Sequence, residues 1–542
     1  MDLQFTIYDL QFMKRTVVVL VVLMAGISVF ACTNFIVTKG ASKTGATFLA
    51  YTNDAEYLAN LRKVHAADHA PGSFVKDGHF GVPMNGDVPE VAHTYATLGF
   101  HMNEFQVAIG ETTFTGRDEL YNHSKFLRYG DLMAIALRRA TTAREALQVI
   151  IDLVNQYGYG QEGESISIID PEEAWILEII GTGDGGDSAI YVAMRIPDGM
   201  VCAHANHSRI GEFPLDDPEN CIYSPNVISF AIDKGYYDPA SGEPFRFNEA
   251  YNPRDPKQIR YSETRVWSMY RKAAPSLNLS PDYHRGVKGA ERYPLWIKPD
   301  KKLGIEDVFH IIRDHYEGTV FDMTKGLQAG PFGSPNHWRP LLWELDSVEY
   351  AWERPVSTYN TSWSFVAQCR GWLPDEVGGI VWYGYDDTYW TCYLPMYNAI
   401  TEIPVPFTNG DFQNFSWDNA WWVFNFVSNY ANLKYSYMVK DMQEVQQRIE
   451  KQFIAEQAEV DEKVKLLLER DRSEAIEYLN RLTAERADYL LQEWTNLANY
   501  LLTKYNDGYI KNEKGHPEEV GYPDEWKRKI IDAEGEKYRI SR

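Results

Sequence analysis

The stretch Val29-Phe30-Ala31-Cys32-Thr33-Asn34-Phe35-Ile36-Val37 decides how the fold of this chain begins. Its last part, residues 33–37, is β-branched and aromatic and predicts a strand directly after Cys32. Its first part ends an apolar run over residues 17–30, which follows Met13-Lys14-Arg15. A basic start, an apolar run and the small residues of Val29-x-Ala31 predict a secretory signal over residues 1–31. We expect Met13 to be the true start and residues 1–12 to be an upstream extension.

Three fates are open to Cys32. Cleavage after Ala31 would make it the first residue, with a thiol as nucleophile and a free α-amine as base. The unperturbed pKa values of these groups, about 8.5 and about 8, suit that pairing. Alternatively, Val29-Phe30-Ala31-Cys32 is a lipoprotein box, although the bulky Phe30 and the strand that follows at once argue against lipidation. The third fate is a buried structural cysteine.

Length and charge limit the class of protein. The chain has 542 residues, enough for more than one domain. Its formal net charge of −23 argues against non-specific binding of nucleic acid. The apolar run over residues 17–30 is shorter than the roughly 20 residues of a membrane-spanning helix. We therefore expect an exported protein, periplasmic or secreted, with no nucleic-acid partner and no stable membrane span.

The cysteine count also bears on Cys32, because an odd number in an exported protein needs an explanation. With Cys32 set aside as a reactive thiol, four cysteines remain: Cys202, Cys221, Cys369 and Cys392. They allow two disulfides in any of three pairings, or they stay free and buried.

Motifs for metals and cofactors are missing from the sequence. His65 and His69 are four residues apart, but no HExxH pattern surrounds them. No Walker loop and no GxGxxG in a plausible context occurs either. We expect no metal and no cofactor.

The chain changes character along its length. Residues 32–210 predict alternating strands and helices, and residues 211–300 predict irregular loops with one helix over 262–272. Further strands are predicted over 364–368 and 379–383. The other predicted strands cover residues 33–37, 47–52, 105–109, 165–169, 174–180, 190–196 and 200–205, and the other predicted helices cover 131–140 and 143–156.

The C-terminal part predicts long helices, since no Gly or Pro occurs between residues 411 and 507. Apolar residues recur there at helical spacing in two runs. Ser473 is a plausible helix start and Gly508 a stop. We expect a helical hairpin that packs on the core or on a second subunit, so that a homo-oligomer could form through these helices.

Several short stretches, taken in order, resemble a known family. They are Cys32–Val37, Lys39-Gly40-Ala41-Ser42, Met102-Asn103-Glu104, Gly110-Glu111-Thr112-Thr113, Trp175-Ile176-Leu177-Glu178, Ala205-Asn206-His207-Ser208-Arg209-Ile210, Phe365-Val366-Ala367-Gln368 and Trp372-Leu373-Pro374-Asp375-Glu376-Val377-Gly378-Gly379. The chain resembles the dipeptidases related to dipeptidase A, which are N-terminal nucleophile (Ntn) hydrolases and relatives of choloylglycine hydrolase and penicillin V acylase. The resemblance covers residues 32–410 and implies an α+β fold there, a four-layer αββα sandwich. The helices predicted from the residue pattern would form an extension over residues 411–542.

The resemblance also implies roles for particular residues. Cys32 would be the nucleophile and its amine the base, Asp54 would contact that amine, and Asn206 would support the oxyanion. Arg265 lies in the region of an arginine found in the bile-salt and penicillin relatives. Glu111 and Thr112 would line the oxyanion pocket through their backbone N–H groups, or they simply end a strand. Tyr51 departs from the family pattern, because related enzymes commonly carry Arg there.

The expected function is hydrolysis of dipeptides through a thioester at Cys32, with a small peptide as substrate. One alternative is a related amidase that acts on bile-salt or penicillin-type amides. An alternative of another class is a non-catalytic, lipid-anchored surface protein.

Overall fold

A computed structural model describes residues 32–58, 60–78, 83–84, 86–336 and 342–540. The predicted signal over residues 1–31 lies outside these ranges. The fold mixes α-helices and β-strands, with several sheets and a C-terminal helical region. In the described part of the chain, no helix has the length and apolar character needed to cross a membrane.

The strands are numbered in chain order. They are β1 (Thr33–Val37), β2 (Thr47–Asp54), β3 (Lys63–Val64), β4 (Ala67–Asp68), β5 (His93–Thr94), β6 (Thr97–Leu98), β7 (Met102–Asn103), β8 (Ala108–Phe114), β9 (Gly163–Ile169), β10 (Ala174–Gly181), β11 (Ala189–Arg195), β12 (Val201–His204), β13 (Cys221–Tyr223), β14 (Trp296–Ile297), β15 (Leu342–Leu345), β16 (Val348–Ala351), β17 (Thr361–Cys369), β18 (Gly379–Tyr385), β19 (Leu394–Tyr397), β20 (Ile510–Lys511) and β21 (Pro517–Glu518).

The helices are numbered in the same way. They are α1 (Tyr129–Arg139), α2 (Ala143–Tyr157), α3 (Val227–Asp233), α4 (Phe247–Tyr251), α5 (Pro256–Ala273), α6 (Ile305–Ile312), α7 (Asp375–Gly378), α8 (Ala420–Ala431), α9 (Tyr435–Ala455), α10 (Gln457–Leu468), α11 (Arg472–Lys504) and α12 (Asp524–Tyr538).

Two large antiparallel sheets form the centre of the fold. The first has the order β14-β12-β1-β2-β17-β18-β19, and the second has the order β13-β11-β10-β9-β8-β7-β6-β3. They pack face to face where β1 and β2 contact β8 and β9. Helices α1 and α2 pack on the second sheet, whereas α5, α6, α8 and α11 pack on the first. The strands β2, β9, β10, β17 and β18 are buried at every residue, as expected of strands covered on both faces.

Gly110 in β8 allows the two sheets to approach closely. A Cβ atom there would lie 2.6 Å from Asn34 Oδ1 and 3.2 Å from Tyr51 Cβ, so any larger residue would push β1 and β2 away. Next to it, Asn34 Nδ2 donates a hydrogen bond of 2.7 Å to the backbone oxygen of Glu111. The contact between sheets is therefore fixed at the point where Cys32 enters β1.

The structure confirms most predicted elements of residues 32–210 and corrects others. The strand predicted over residues 105–109 is wrong in its bounds, because Gln106 takes a φ of 63° in a turn and β8 runs from Ala108 to Phe114. Residues 211–300 contain α3 and α4 besides the predicted helix, which extends to Pro256–Ala273 as α5. The predicted helix start at Ser473 is also displaced, since Asp471 caps α11 by accepting a hydrogen bond from the Ser473 backbone N–H.

The predicted C-terminal hairpin is part of a larger helical group, α8 to α11, that packs on β18 and β19. The alternative of disulfides does not hold, because all five cysteines are free and buried.

Candidate active site

Cys32 lies directly before β1 and is only 3% exposed. Since β1 pairs antiparallel with β2, with Asn34 opposite Tyr51, the end of β2 runs beside the thiol. The Cys32 Sγ atom donates a hydrogen bond of 3.2 Å to Glu111 Oε1 and lies 3.9 Å from the Tyr51 hydroxyl. Asn53 Nδ2 approaches the same sulfur at 4.0 Å. These contacts make Cys32 the centre of a buried polar cluster.

Tyr51 and Glu111 are joined directly, because the Tyr51 hydroxyl donates a hydrogen bond to Glu111 Oε1. The Tyr51 ring packs edge-on against Trp363 at 5.1 Å and against Phe365 at 5.6 Å, which fixes its position. Burial, and then the negative charge of Glu111, raise the pKa of the Cys32 thiol well above its ordinary value. The thiol therefore holds its proton and needs a base before it can act as a nucleophile.

Asp54, at the end of β2, has both carboxylate oxygens engaged. Thr361 Oγ1 donates to Oδ1 at 2.6 Å, and Thr52 Oγ1 donates to Oδ2 at 3.0 Å. Arg354 forms an ion pair with Oδ2 at 2.6 Å. A backbone hydrogen bond from Asp54 to Cys32 acts in the opposite direction to burial and lowers the thiol pKa. The structure thus places Asp54 beside Cys32.

Arg265 and Asn206 are linked on the other side of Cys32. From the middle of α5, Arg265 Nη1 donates to the Cys32 backbone oxygen at 2.7 Å and to Thr33 Oγ1 at 2.9 Å. Its Nη2 donates to Asn206 Oδ1 at 2.9 Å. Asn206 Nδ2 in turn donates to the Thr113 backbone oxygen at 2.7 Å. Complete burial lowers the pKa of Arg265 to about 9.

The structure does not bring the Thr112 hydroxyl to Cys32. Thr112 Oγ1 hydrogen-bonds His204 Nδ1 at 2.7 Å, and Ser167 Oγ hydrogen-bonds the other ring nitrogen at 2.6 Å. Successive side chains of a strand point to opposite sides, so Glu111 and Thr112 of β8 cannot both face the thiol. Burial lowers the pKa of His204 to about 3, which keeps its ring neutral.

Sequence reasoning missed part of the polar cluster. Asn53 accepts a hydrogen bond of 2.9 Å from the Tyr57 hydroxyl, which itself accepts one of 3.0 Å from Trp363 Nε1. The alternation of side chains along β2 could have identified Asn53, since it lies two residues after Tyr51. No sequence signal marks Arg354 or Glu164, because each is distant in the chain from the group it contacts.

Glu164 in β9 forms a carboxyl pair with Glu111. The two carboxyl groups hydrogen-bond each other, and Thr113 Oγ1 donates to Glu164 Oε2 at 2.9 Å. The other described side chains offer no donor to Glu111 Oε2 or to Glu164 Oε1. Burial, and then the charge of Glu111, raise the pKa of Glu164 well above its ordinary value. Glu164 therefore holds its proton more tightly than an ordinary carboxyl group.

Within the described ranges, no group of three His, Cys, Asp or Glu side chains could hold a metal ion.

The raised pKa of Glu164 predicts a pH-dependent stability. The folded state holds this proton more tightly than the unfolded state, so its stabilising contribution is complete at low pH and is lost as the pH rises above the ordinary carboxyl range. We expect the Tm of Glu164→Gln to fall less than that of the wild type between pH 5 and pH 8, measured by differential scanning calorimetry. Parallel curves for the two proteins would show that Glu164 titrates normally.

Comparison with known proteins agrees with this geometry. The family model described as peptidase family C69 matches residues 31–448. A probable dipeptidase of Salmonella dublin is 28% identical over 408 residues, covering 72% of this chain and 86% of the relative. A probable dipeptidase B of Streptococcus pyogenes serotype M1 is 24% identical over 482 residues, covering 85% of this chain and 90% of the relative.

A third relative, a probable dipeptidase of Latilactobacillus sakei, is 24% identical over 420 residues, covering 73% of this chain and 80% of its own length. The family match begins at residue 31, next to Cys32, and includes every site residue described above. The chain therefore belongs to peptidase family C69 and is a cysteine-type peptidase.

Proposed function

We propose that the protein is an exported dipeptidase that uses Cys32 as an N-terminal nucleophile. The observation that carries this proposal is the position of Cys32: its sulfur contacts Glu111 and Tyr51, and its backbone oxygen is held by Arg265. The relatives named probable dipeptidase support the choice of substrate. The proposed reaction is hydrolysis of the peptide bond of a dipeptide.

The base in this mechanism is the α-amine of Cys32, released when the signal is removed. The thiol pKa is raised by burial and by Glu111, so the proton must be taken by a nearby group. An α-amine has an unperturbed pKa of about 8 and is partly neutral at neutral pH. No catalytic histidine is needed, because the amine belongs to the same residue as the thiol.

The reaction then takes two steps. The Cys32 thiol gives its proton to the α-amine, and the sulfur forms a bond to the peptide carbonyl carbon. The C–N bond breaks, the leaving amine takes the proton from the α-ammonium group, and a thioester remains. Water then adds to the thioester, its proton passes through the α-amine to the sulfur, and the acyl product leaves as a free amino acid.

Asn206 is the proposed donor to the oxyanion that forms in each step. An amide nitrogen carries two hydrogens, and the Thr113 backbone oxygen uses one of them. Arg265 is a positioning residue, because it holds both the Asn206 oxygen and the Cys32 backbone oxygen. Removing a single oxyanion donor typically costs about 100-fold or more in kcat.

The stacked sheets with helices on both sides support the further proposal of an Ntn-hydrolase sandwich over residues 32–410. Cys32 lies directly before β1, an inner strand of the first sheet. The helices from α8 onward would then form the C-terminal extension.

The export proposal predicts the mass of the mature chain. Cleavage after Ala31 leaves Cys32 as the first residue with an unmodified thiol and amine. Intact-mass measurement of the protein recovered from the periplasm or medium should therefore match a chain that starts at Cys32. A diacylglyceryl adduct on that residue would contradict the proposal, since an acylated amine cannot act as the base.

Loss of the nucleophile predicts loss of hydrolysis. Cys32→Ala should fold normally and release no amino acids from a dipeptide panel, measured by a ninhydrin assay or by chromatography. Cys392→Ala is the matched control, because Cys392 is also a buried free thiol, and its hydrogen bond goes to the Gln446 backbone oxygen, at 3.9 Å, away from the Cys32 cluster. Substantial hydrolysis by Cys32→Ala, or equal loss in both variants, would refute the assignment of Cys32.

A further inference from the structure

Glu111 is a buried acid whose charge is not matched in the described part of the chain. Asp54, the other acid beside the Cys32 sulfur, pairs with Arg354 at 2.6 Å. Arg265 directs its guanidinium to the oxygens of Cys32, Thr33 and Asn206. Within the described residues, Glu111 makes no ion pair, although its side chain is completely buried. A buried carboxylate in this state favours binding of a cation.

The neighbouring Glu164 does not supply the missing charge. Its carboxyl group is hydrogen-bonded to Glu111, and burial together with the charge of Glu111 raises its pKa well above the ordinary value, so it offers no positive charge. Glu111 Oε2 and Glu164 Oε1 also find no donor among the other described side chains. The pair therefore has no cationic partner among the described residues, while Glu111 Oε1 lies 3.2 Å from the thiol sulfur.

The position of this charge suits one particular cation. In a peptide whose first residue is the acyl group, the α-nitrogen lies two bonds, or about 2.5 Å, from the carbonyl carbon. The sulfur must approach this carbon to within about 3–3.5 Å before it attacks. Because Glu111 Oε1 is 3.2 Å from Sγ, a carboxylate oxygen is within hydrogen-bonding reach of an α-ammonium group placed for attack.

We infer that Glu111 binds the free α-ammonium group of the substrate residue whose carbonyl carbon Cys32 attacks. This inference rests on the hydrolysis proposed above and names its substrate class: peptides cut after a first residue with a free amine, dipeptides among them. Amides whose acyl group carries no amine, such as N-acylated peptides, would be poor substrates.

Binding at Glu111 would also prepare the nucleophile. The charge of Glu111 is, after burial, the largest cause of the raised pKa of Cys32. An ammonium group bound there offsets that charge, which lowers the thiol pKa when substrate arrives. The α-amine of Cys32 could pair with Glu111 in place of the substrate ammonium group. Glu111 would then interact with the base and not with the substrate.

The test compares two substrates on the mature protein. Wild type, Glu111→Gln and Glu164→Gln are assayed with alanyl-alanine and with N-acetyl-alanyl-alanine. The wild type should show a kcat/KM at least about 30-fold higher for the free amine, as expected for a hydrogen-bonded charge pair. Glu111→Gln should reduce this preference at least about 10-fold, because alanyl-alanine loses the charged partner of its ammonium group in addition to any loss that both substrates share. Glu164→Gln should keep the preference, because glutamine replaces the protonated carboxyl and leaves the charge of Glu111.

Two results would overturn the inference. The first is a wild type that hydrolyses both substrates equally well. This result overturns the inference by itself, whether or not Glu111→Gln folds. A Glu111→Gln variant that loses the same factor on both substrates would place Glu111 with the Cys32 amine or with the fold. Absence of hydrolysis of either substrate by the wild type would instead refute the proposed dipeptidase, and the inference with it.

Discussion

The hydrogen bond from the Cys32 thiol to Glu111 Oε1 is the contact on which the site depends. It connects the residue before β1 in the first sheet with β8 in the second. The same Glu111 oxygen accepts the Tyr51 hydroxyl, so one buried carboxylate orients two proton donors. Burying a charged group costs several kcal/mol unless a partner offsets it, and such a cost is characteristic of functional sites.

Close packing of the two sheets makes this contact geometrically possible. Gly110 leaves room for Asn34 and Tyr51, and Asn34 then binds the Glu111 backbone. On the opposite side, Arg265 binds the Cys32 backbone oxygen from α5, and Arg354 neutralises Asp54. Arg265 therefore holds the Cys32 backbone and Arg354 holds Asp54. Neither of these two cations pairs with Glu111, so its carboxylate can bind a ligand.

The sequence predicted the local parts of this arrangement better than the distant ones. The strands β1 and β2, the β9–β10 hairpin and helix α2 follow from periodicity and turn residues within short windows. The Glu111–Glu164 pair depends on the register of β8 and β9, in which Thr113 faces Glu164, and no local pattern encodes that pairing. The sequence also could not show which side of β8 carries Thr112. The structure shows that this side faces His204.

The central claim is that the α-amine of Cys32 is the base, and one comparison tests it directly. A chain that begins at Cys32 is compared with a chain that begins at Ala31, in which the same nitrogen lies in a peptide bond. We predict that the second chain keeps the Tm of the first and loses at least about 100-fold in kcat on a dipeptide, the typical contribution of a general base. Equal kcat values for the two chains would contradict the account.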